Sequence, residues 1–300
     1  MILPDFYLSS RANCAPSIEC GMDALLYTDK NYGYTDKKDY FLNYPYPVVY
    51  QFNNRGFRDA DWPTDTNELQ NAIWCFGDSF TVGLGSSYNH IWSQVLQTRS
   101  QRRTINVSMD GASNQWIARK VDKLCHEIAP KTIVILWSYL HRREQPDQSK
   151  SDEDRRDYGG RSSDEEDYNN FIQCVELVNK HKYQTQIIHL TIPDAQSCYD
   201  IQLSWDNFKG PDWPTISPRS ISEFNLMPDF VKNEIVSFLD KNKKFQALLE
   251  RNDMFDKYKE TENILEVPRL DLARDSHHFD IKTSKWISAQ ILTNLSKVKC

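Results

Sequence analysis

The chain has 300 residues, enough for one sizeable domain with a buried core. Hydrophobic residues make up 39% of it and charged residues 26%, which excludes a collagenous or wholly disordered chain. The net charge is -6 and no basic stripe is present, which argues against nucleic acid as the main partner.

The seven cysteines are scattered and form no CxxC pair. This spacing indicates reduced thiols rather than a disulfide framework or a zinc knuckle. The first residues lack the positive segment and long apolar run of a signal peptide, and no stretch approaches the ~20 apolar residues of a membrane span. The sequence therefore predicts a cytoplasmic protein with no membrane span.

Short apolar runs alternate with amphipathic stretches along most of the chain. The runs predict strands that end in turn residues, at 72–76, 104–108, 131–137 and 186–192. Apolar residues at helical spacing predict helices at 89–100, 114–128, 164–180 and 283–295. Strands that alternate with helices pair in parallel, so the fold class is predicted to be an α/β sandwich.

Residues 1–70 are expected to form a lead-in that packs on the main domain, residues 71–300. Within the lead-in, residues 46–50 are consistent with a short edge strand. Residues 53–58 favour a turn in which Gly56 takes a positive φ.

Two segments of the main domain depart from this alternation of strands and helices. The charge-dense stretch 141–168 predicts a solvated insertion. The stretch 194–228 carries four prolines and two tryptophans, which favours a long loop that lines a substrate cleft or is simply anchored by its aromatic rings. A further helix is expected around 229–250.

Ligands of open α/β sheets bind beyond the carboxyl ends of the strands. There the sequence places Gly77-Asp78-Ser79 after the first strand and Asp110-Gly111 after the second, with Asp275-Ser-His-His278 before the last helix. A serine hydroxyl needs a base, usually histidine, and a carboxylate to orient the imidazole. These residue types in this order are the parts of a serine hydrolase.

The string Gly77-Asp78-Ser79-Phe80-Thr81-Val82-Gly83 has the form GDSxTxG and resembles the first block of the SGNH (GDSL-like) hydrolase superfamily. Gly111 resembles the glycine of its second block, and Asp275-x-x-His278 its last block, DxxH. Residues 54–59 resemble a segment that precedes the nucleophile in some members. The resemblance covers roughly residues 50–140 and 165–295.

The resemblance implies a flavodoxin-like three-layer α/β/α sandwich with a central, mostly parallel sheet. It implies Ser79 as nucleophile, with Asp275 and His278 completing the triad and the N–H groups of Ser79 and Gly111 in the oxyanion hole. It also implies ester hydrolysis through an acyl-enzyme, without a metal or organic cofactor.

One block departs from the family pattern. The third block, GxND, supplies an asparagine to the oxyanion hole, but here the strand continues into Trp137-Ser138-Tyr139-Leu140. Asn114 or Ser138 could replace that donor, although both residue types are also common helix caps. Loss of one donor typically costs about 3 kcal/mol of transition-state stabilisation.

Each candidate residue has a simpler interpretation. Ser79 could be a helix N-cap or a turn serine, and Asp78 is expected to be structural, at a helix start. His277 and His278 could bind a metal with Asp275 and Asp280. The histidines without a motif context are expected to be surface or packing residues: His90, His126, His181 and His189.

The sequence thus predicts a serine esterase that acts on a small-molecule or glycan ester, such as an O-acetyl group on a carbohydrate. Two alternatives remain. One is a weakened, SGNH-like module that binds glycans or serves a structural role. The other is an O-acyltransferase, since transfer and hydrolysis share the first half-reaction.

Overall fold

The computed structural model describes residues 3–8, 12, 48–140, 142–144, 164–192, 255–273 and 278–297. The predicted loop 194–228, the helix expected around 229–250, Asp275 and His277 lie outside these residues. No helix within the described ranges combines the length and the hydropathy of a membrane span.

Five strands form the sheet: β1 Ile73–Gly77, β2 Thr104–Ser108, β3 Thr132–Trp137, β4 Gln186–Thr191 and β5 Leu265–Glu266. The α-helices are α1 Thr66–Asn71, α2 Ser79–Val82, α3 Trp92–Ser100, α4 Asn114–Glu127, α5 Asp164–Asn179, α6 at 255–261 and α7 Ile281–Lys297. The four predicted strands and four predicted helices are confirmed to within three residues at each end. The sequence did not predict α1, α6 or β5, and it indicated α2 only as a helix start at Asp78.

The strand order in the sheet is β2-β1-β3-β4-β5, and every pair is parallel. This is the order of the flavodoxin-like doubly wound sheet, so the predicted fold class is confirmed. In the register, Gly77 lies opposite Ser108, and Trp137 opposite Thr191. The carboxyl ends of β1 and β2 therefore meet at one edge, where the turn residues that follow these strands lie.

Side chains of each strand alternate between two apolar clusters, one on each face of the sheet. On one face Trp74 and Phe76 of β1 belong to the cluster that includes residues of α4 and α5. On the other face Ile73 and Cys75 belong to the cluster that includes residues of α3 and α7. Because both faces are covered, all five residues of β1 are buried. The result is the predicted α/β/α sandwich.

The described part of the lead-in is built into the first of these clusters. Phe6 is fully buried and packs edge-on against Trp62, and Trp62 packs edge-on against Trp74 of β1. The backbone N–H of Leu8 donates to Arg55 O at 2.8 Å. Gly56 has φ 84°, as predicted, and a Cβ there would lie 2.2 Å from Leu8 O. These early residues therefore belong to the core.

Two expectations need correction. Residues 48–50 pair with no strand of the sheet, and the Tyr50 hydroxyl accepts a hydrogen bond from Gly85 N–H at 2.8 Å. The ends of the segment 141–168 are not simply solvated: Arg143 pairs with Asp167 of α5 at 2.9 Å, and Arg142 reaches a buried carboxylate described below. Charge density in the sequence did not show that these arginines have partners inside the fold.

His189 on β4 is a packing residue, as expected. Trp137 Nε1–H donates to His189 Nδ1 at 3.1 Å, and His189 Nε2 lies 3.0 Å from Asn179 Oδ1. A donor at Nδ1 and an acceptor at Nε2 fix the neutral imidazole with its proton on Nε2. Burial lowers the pKa of His189 to about 4.

This histidine predicts acid-sensitive stability. Between about pH 6.5 and pH 4 the unfolded chain binds a proton at His189 that the folded chain does not, so stability falls as the pH falls, by about 3 kcal/mol over the whole interval. Urea unfolding at neutral pH and at about pH 4.5 measures this loss of stability. His189→Gln is expected to be less stable at neutral pH and to lose much of this pH dependence. An unchanged pH dependence in the variant would contradict the assignment.

Candidate active site

The turn after β1 leaves no room for a Cβ at either of the glycines that flank it. A Cβ on Gly77 would lie 2.0 Å from Thr81 Oγ1 and 2.9 Å from the backbone oxygen of Leu136. Gly83 ends α2 in the left-handed region with φ 73°, and a Cβ there would lie 1.9 Å from Ile91 Cγ2. The first glycine lets the turn lie against the sheet, and the second lets the chain leave the short helix.

Asp78 and Ser79 have separate roles at the start of α2. Asp78 is the N-cap, and its Oδ1 accepts from Phe80 N–H at 3.0 Å. Its predicted structural role at a helix start is confirmed. Ser79 is the first helical residue and is not the cap, so its hydroxyl is not needed for capping. The simpler interpretation of Ser79 as an N-cap is therefore wrong.

The Ser79 hydroxyl and the His278 ring are in contact. His278 Nε2 lies 2.8 Å from Ser79 Oγ, although the two residues are 199 positions apart in the chain. Both are buried. Phe80 packs against the imidazole with ring centroids 4.6 Å apart. A hydroxyl held within hydrogen-bond reach of a buried imidazole is the geometry of a nucleophile beside its base.

Three contacts hold the His278 segment beside the nucleophile turn. Ser86 Oγ donates to Phe279 O at 2.8 Å and lies 3.1 Å from Asp280 Oδ1, and His90 Nδ1 lies 3.2 Å from the same carboxylate oxygen. The carbonyl of His278 also accepts from Ala273 N–H at 2.7 Å. Asp280 thus serves as an anchor between loops.

Asp271 fixes the start of the helix that follows His278. Its carboxylate accepts from the N–H groups of Lys282 and Thr283, at 2.7 Å and 3.0 Å. A carboxylate at the first turn satisfies amide groups that have no partner in the helix and interacts well with the helix dipole. The DxxH pattern did not indicate this cap, because Asp271 precedes it.

A buried arginine organises the other side of the nucleophile turn. Arg58 is fully buried, and its guanidinium donates to Gly83 O at 2.5 Å and to Ser86 O at 2.7 Å. Its Cζ lies 4.2 Å from the centroid of the Tyr50 ring. These contacts account for Arg58 in the segment 54–59, which resembles a segment upstream of the nucleophile in some family members. The arginine is a structural support for the loop.

Asp78 carries a charge network directly beside Ser79. Its Oδ2 accepts from Ser138 Oγ at 2.6 Å and from Arg142 Nη1 at 2.9 Å. Burial raises the pKa of the Asp78 carboxyl, and Arg142, Ser138, Phe80 N–H and His278 oppose that rise. The sequence missed Arg142. Its position just after the carboxyl end of β3 was the available signal, but the neighbouring charges favoured a solvated interpretation.

Removal of Arg142 is expected to destabilise the fold. The Asp78 carboxylate would stay buried without its cation, and the free energy of unfolding is expected to fall by about 2–3 kcal/mol, somewhat below the cost of breaking a fully buried pair. Arg143→Ala is the matched control, because its ion pair with Asp167 is more exposed and is worth about 1 kcal/mol or less. Urea unfolding compares the two variants. Equal losses would show that Asp78 does not depend on Arg142.

Neither residue suggested as a replacement for the missing oxyanion donor has a hydrogen available in this structure. Asn114 Nδ2 donates to the carbonyls of Ser138 and Tyr139, at 3.2 Å each, and its Oδ1 accepts from Ser138 N–H. The one hydroxyl hydrogen of Ser138 goes to Asp78. Both expectations are corrected: these side chains hold the turn after β3.

The backbone N–H groups of Ser79 and Gly111 remain candidate donors for the oxyanion hole. Gly111 has φ 71° in the turn after β2, next to the end of β1. Within the described ranges, the N–H groups of Ser79 and Gly111 have no hydrogen-bond acceptor. An oxyanion hole needs such preorganised donors.

A cleft of about 1140 Å³ lies at the opposite edge of the sheet, against the amino ends of β1, β3 and β4. Arg102, Lys131 and Tyr183 are among the residues that line it. Size alone does not make it the site, because open α/β sheets bind ligands at the carboxyl ends of their strands. The metal alternative at His278 finds no support in Asp280, which is bonded to Ser86 and His90.

No protein-family model matches the chain, and no curated protein matches it. Among solved structures, it is similar to one named for the G-D-S-L family of lipolytic proteins from Desulfitobacterium hafniense, at 16% identity and TM-score 0.36, covering 73% of this chain and 96% of that one. It is also similar to a GDSL-like lipase from Bacteroides thetaiotaomicron, at 11% identity and TM-score 0.37, covering 79% and 93%. A third is a family two carbohydrate esterase from Clostridium thermocellum in complex with cellohexaose, at 12% identity and TM-score 0.38, covering 79% and 66%.

The first two of these structures carry the family name that the sequence motif indicated. At this level of similarity a neighbour's activity does not transfer to the chain. The function is therefore inferred below from the residues of the site and their contacts.

Proposed function

We propose that the chain is a serine esterase that hydrolyses an acyl ester through an acyl-enzyme. The observation that carries the proposal is the 2.8 Å contact between Ser79 Oγ and His278 Nε2, both buried at the carboxyl edge of the sheet. The capping role of a structural serine is already filled by Asp78, and a simple turn serine has no need of an imidazole beside its hydroxyl.

In the first half-reaction, Ser79 Oγ attacks the ester carbonyl carbon while His278 Nε2 accepts the hydroxyl proton. The tetrahedral intermediate then collapses, and His278 returns the proton to the leaving alkoxide, which departs as the alcohol. Water attacks the acyl-enzyme by the same route in reverse. We assign to Asp275 the role of holding the imidazole in the correct tautomer, on the DxxH spacing.

The negative charge of the intermediate needs hydrogen-bond donors. The N–H groups of Ser79 and Gly111 supply two in this proposal, and Asn114 and Ser138 add none because their hydrogens are committed elsewhere. One absent donor corresponds to about 10²-fold in kcat. The proposal therefore includes a modest turnover number for simple esters.

The finer proposal is that the acyl group is an O-acetyl on a carbohydrate. It rests on the sequence resemblance to SGNH hydrolases. Hydrolysis and transfer to a second alcohol proceed through the same acyl-enzyme. The Ser79–His278 geometry therefore does not specify the acceptor, and experiment decides between water and an alcohol.

Release of p-nitrophenol from p-nitrophenyl acetate and of acetate from acetylated xylo-oligosaccharides tests the proposal. Turnover of either ester by the wild type supports the esterase. Acyl transfer is detected by mass spectrometry after glycerol is added as acceptor. A folded protein that turns over neither ester and does not react covalently with the activated one would favour the non-catalytic module, which the missing GxND asparagine supports.

A further inference from the structure

A cluster of side chains with the spacing of metal ligands lies on α4 and on the turn after α5. Asp122 and His126 are one helical turn apart on α4, and His181 follows α5. His181 Nε2 lies 2.7 Å from Asp122 Oδ1, and His126 Nε2 lies 3.6 Å from the same oxygen. One ligand atom from each residue lies within 4.8 Å of the other two. In the part of the chain that the structure describes, no other group of His, Cys, Asp and Glu side chains meets this spacing.

We propose that Asp122, His126 and His181 bind a divalent transition-metal ion, with zinc as the representative. Two imidazoles and one carboxylate suit a borderline ion such as Zn²⁺ better than Mg²⁺ or Ca²⁺, which prefer all-oxygen sites. Zinc lies about 2.0–2.2 Å from such ligands, so ligand atoms in a tetrahedral site are roughly 3.4 Å apart.

The two distances to the Asp122 carboxylate need little adjustment to meet that requirement. The 3.6 Å separation of His126 from Asp122 already fits, and the 2.7 Å hydrogen bond of His181 must open by under ~1 Å. The two imidazole rings lie 5.0 Å apart in an edge-to-face arrangement, which lets both Nε2 atoms face the carboxylate. A metal ion would replace one hydrogen bond with three coordinate bonds.

The three side chains lie on α4 and on a hydrogen-bonded turn, both of which are held in place by the fold. On α4, Val121 and Leu124 beside Asp122 are fully buried in the core. The N–H of His181 donates to Val178 O at 3.1 Å, and its carbonyl accepts from Thr185 N–H at 3.0 Å. Ligands on fixed backbone lose little freedom on binding, which favours affinity.

The outer side of the cluster is open to water. The His126 side chain is 70% exposed, Asp122 31% and His181 12%. Three protein ligands leave a coordination position for water, as in zinc sites that are not closed by a fourth side chain. A bound ion would clamp the end of α4 to the turn that leads into β4, at a distance from Ser79 and independently of its chemistry.

Isothermal titration of tag-free, metal-stripped protein with ZnCl₂ tests the proposal, with MgCl₂ as the control ion. The wild type is expected to bind one Zn²⁺ at this cluster, and Mg²⁺ is expected not to compete. His126→Ala should weaken zinc binding at least about tenfold, since even outer-shell changes cost about 10- to 100-fold. Because His126 is exposed, this variant is expected to fold. His126→Ala combined with His181→Ala should abolish this binding event, and Lys123→Ala on the same helix should retain it.

A thermal melt provides the second readout. Zinc stabilises a protein when it binds the folded chain more tightly than the unfolded one, so the wild-type Tm should rise with zinc concentration and the double variant's should not. Absence of zinc binding by the wild type would overturn the proposal. So would binding of unchanged affinity in the double variant, which would place the ion at cysteines or at His278. A melt without metal confirms that each variant is folded.

Discussion

Replacement of Ser79 with alanine is expected to lower kcat for p-nitrophenyl acetate by about 10³-fold or more, because no other group in the described site can form the acyl-enzyme. The variant should keep its fold. The lost atom is one buried hydroxyl, α2 is capped by Asp78, and the turn is held by Gly77 and Gly83. Steady-state kinetics and a thermal melt measure both effects.

Ser296→Ala is the matched control for this variant. Ser296 is exposed on α7 and donates only to Thr293 O, at 2.7 Å, so its replacement should leave kcat unchanged. If Ser79→Ala retained wild-type turnover while folded, the nucleophile would have to be another residue and the proposed function would lose its basis.

His278→Ala is expected to lower kcat by a comparable factor, since the Ser79 hydroxyl would lose the base 2.8 Å away. Combined with Ser79→Ala it should add little further loss, because a nucleophile and its base act as one unit and their effects do not add. Kinetics of the two single variants and the double variant give the comparison. Multiplicative losses would instead indicate that the two residues act independently.

Lys285→Ala controls for the loss of a side chain from the helix that follows His278, because Lys285 is exposed on α7. It is expected to leave kcat unchanged. His278→Ala also removes a ring contact with Phe80, so a melt should accompany the kinetics. A loss of activity that followed unfolding, rather than preceding it, would count against a catalytic role.

Much of the fold could be predicted from the sequence because the spacing of its apolar residues follows the periods of strands and helices. The run 131–137 is apolar at every central position, as a strand buried on both faces requires, and β3 is indeed buried throughout. By contrast β5 has two residues, too few to show any period, and its pairing with β4 depends on a segment over 70 positions away. Phe6 could not be assigned to the core, because a single aromatic residue carries no pattern.

The candidate site likewise contains residues that the sequence predicted and residues that it did not. Ser79 and His278 were predicted from short motifs with a chemical meaning, and the structure brings them together. Asn114 and Ser138 were suggested from residue type alone, and residue type does not specify where a hydrogen is donated. Arg142 was missed because a charged stretch normally indicates solvent, whereas the buried Asp78 carboxylate offers a partner that only the folded chain reveals.

Covalent labelling by a fluorophosphonate probe tests the central claim most directly, with intact mass measured on the wild type, Ser79→Ala and His278→Ala. The probe reacts with a serine only when a neighbouring base activates it. We expect one adduct on the wild type, none on Ser79→Ala and a much slower reaction of His278→Ala. A folded wild-type protein that stays unlabelled, or a Ser79→Ala variant that is labelled as fast as the wild type, would contradict the assignment of Ser79 as an activated nucleophile.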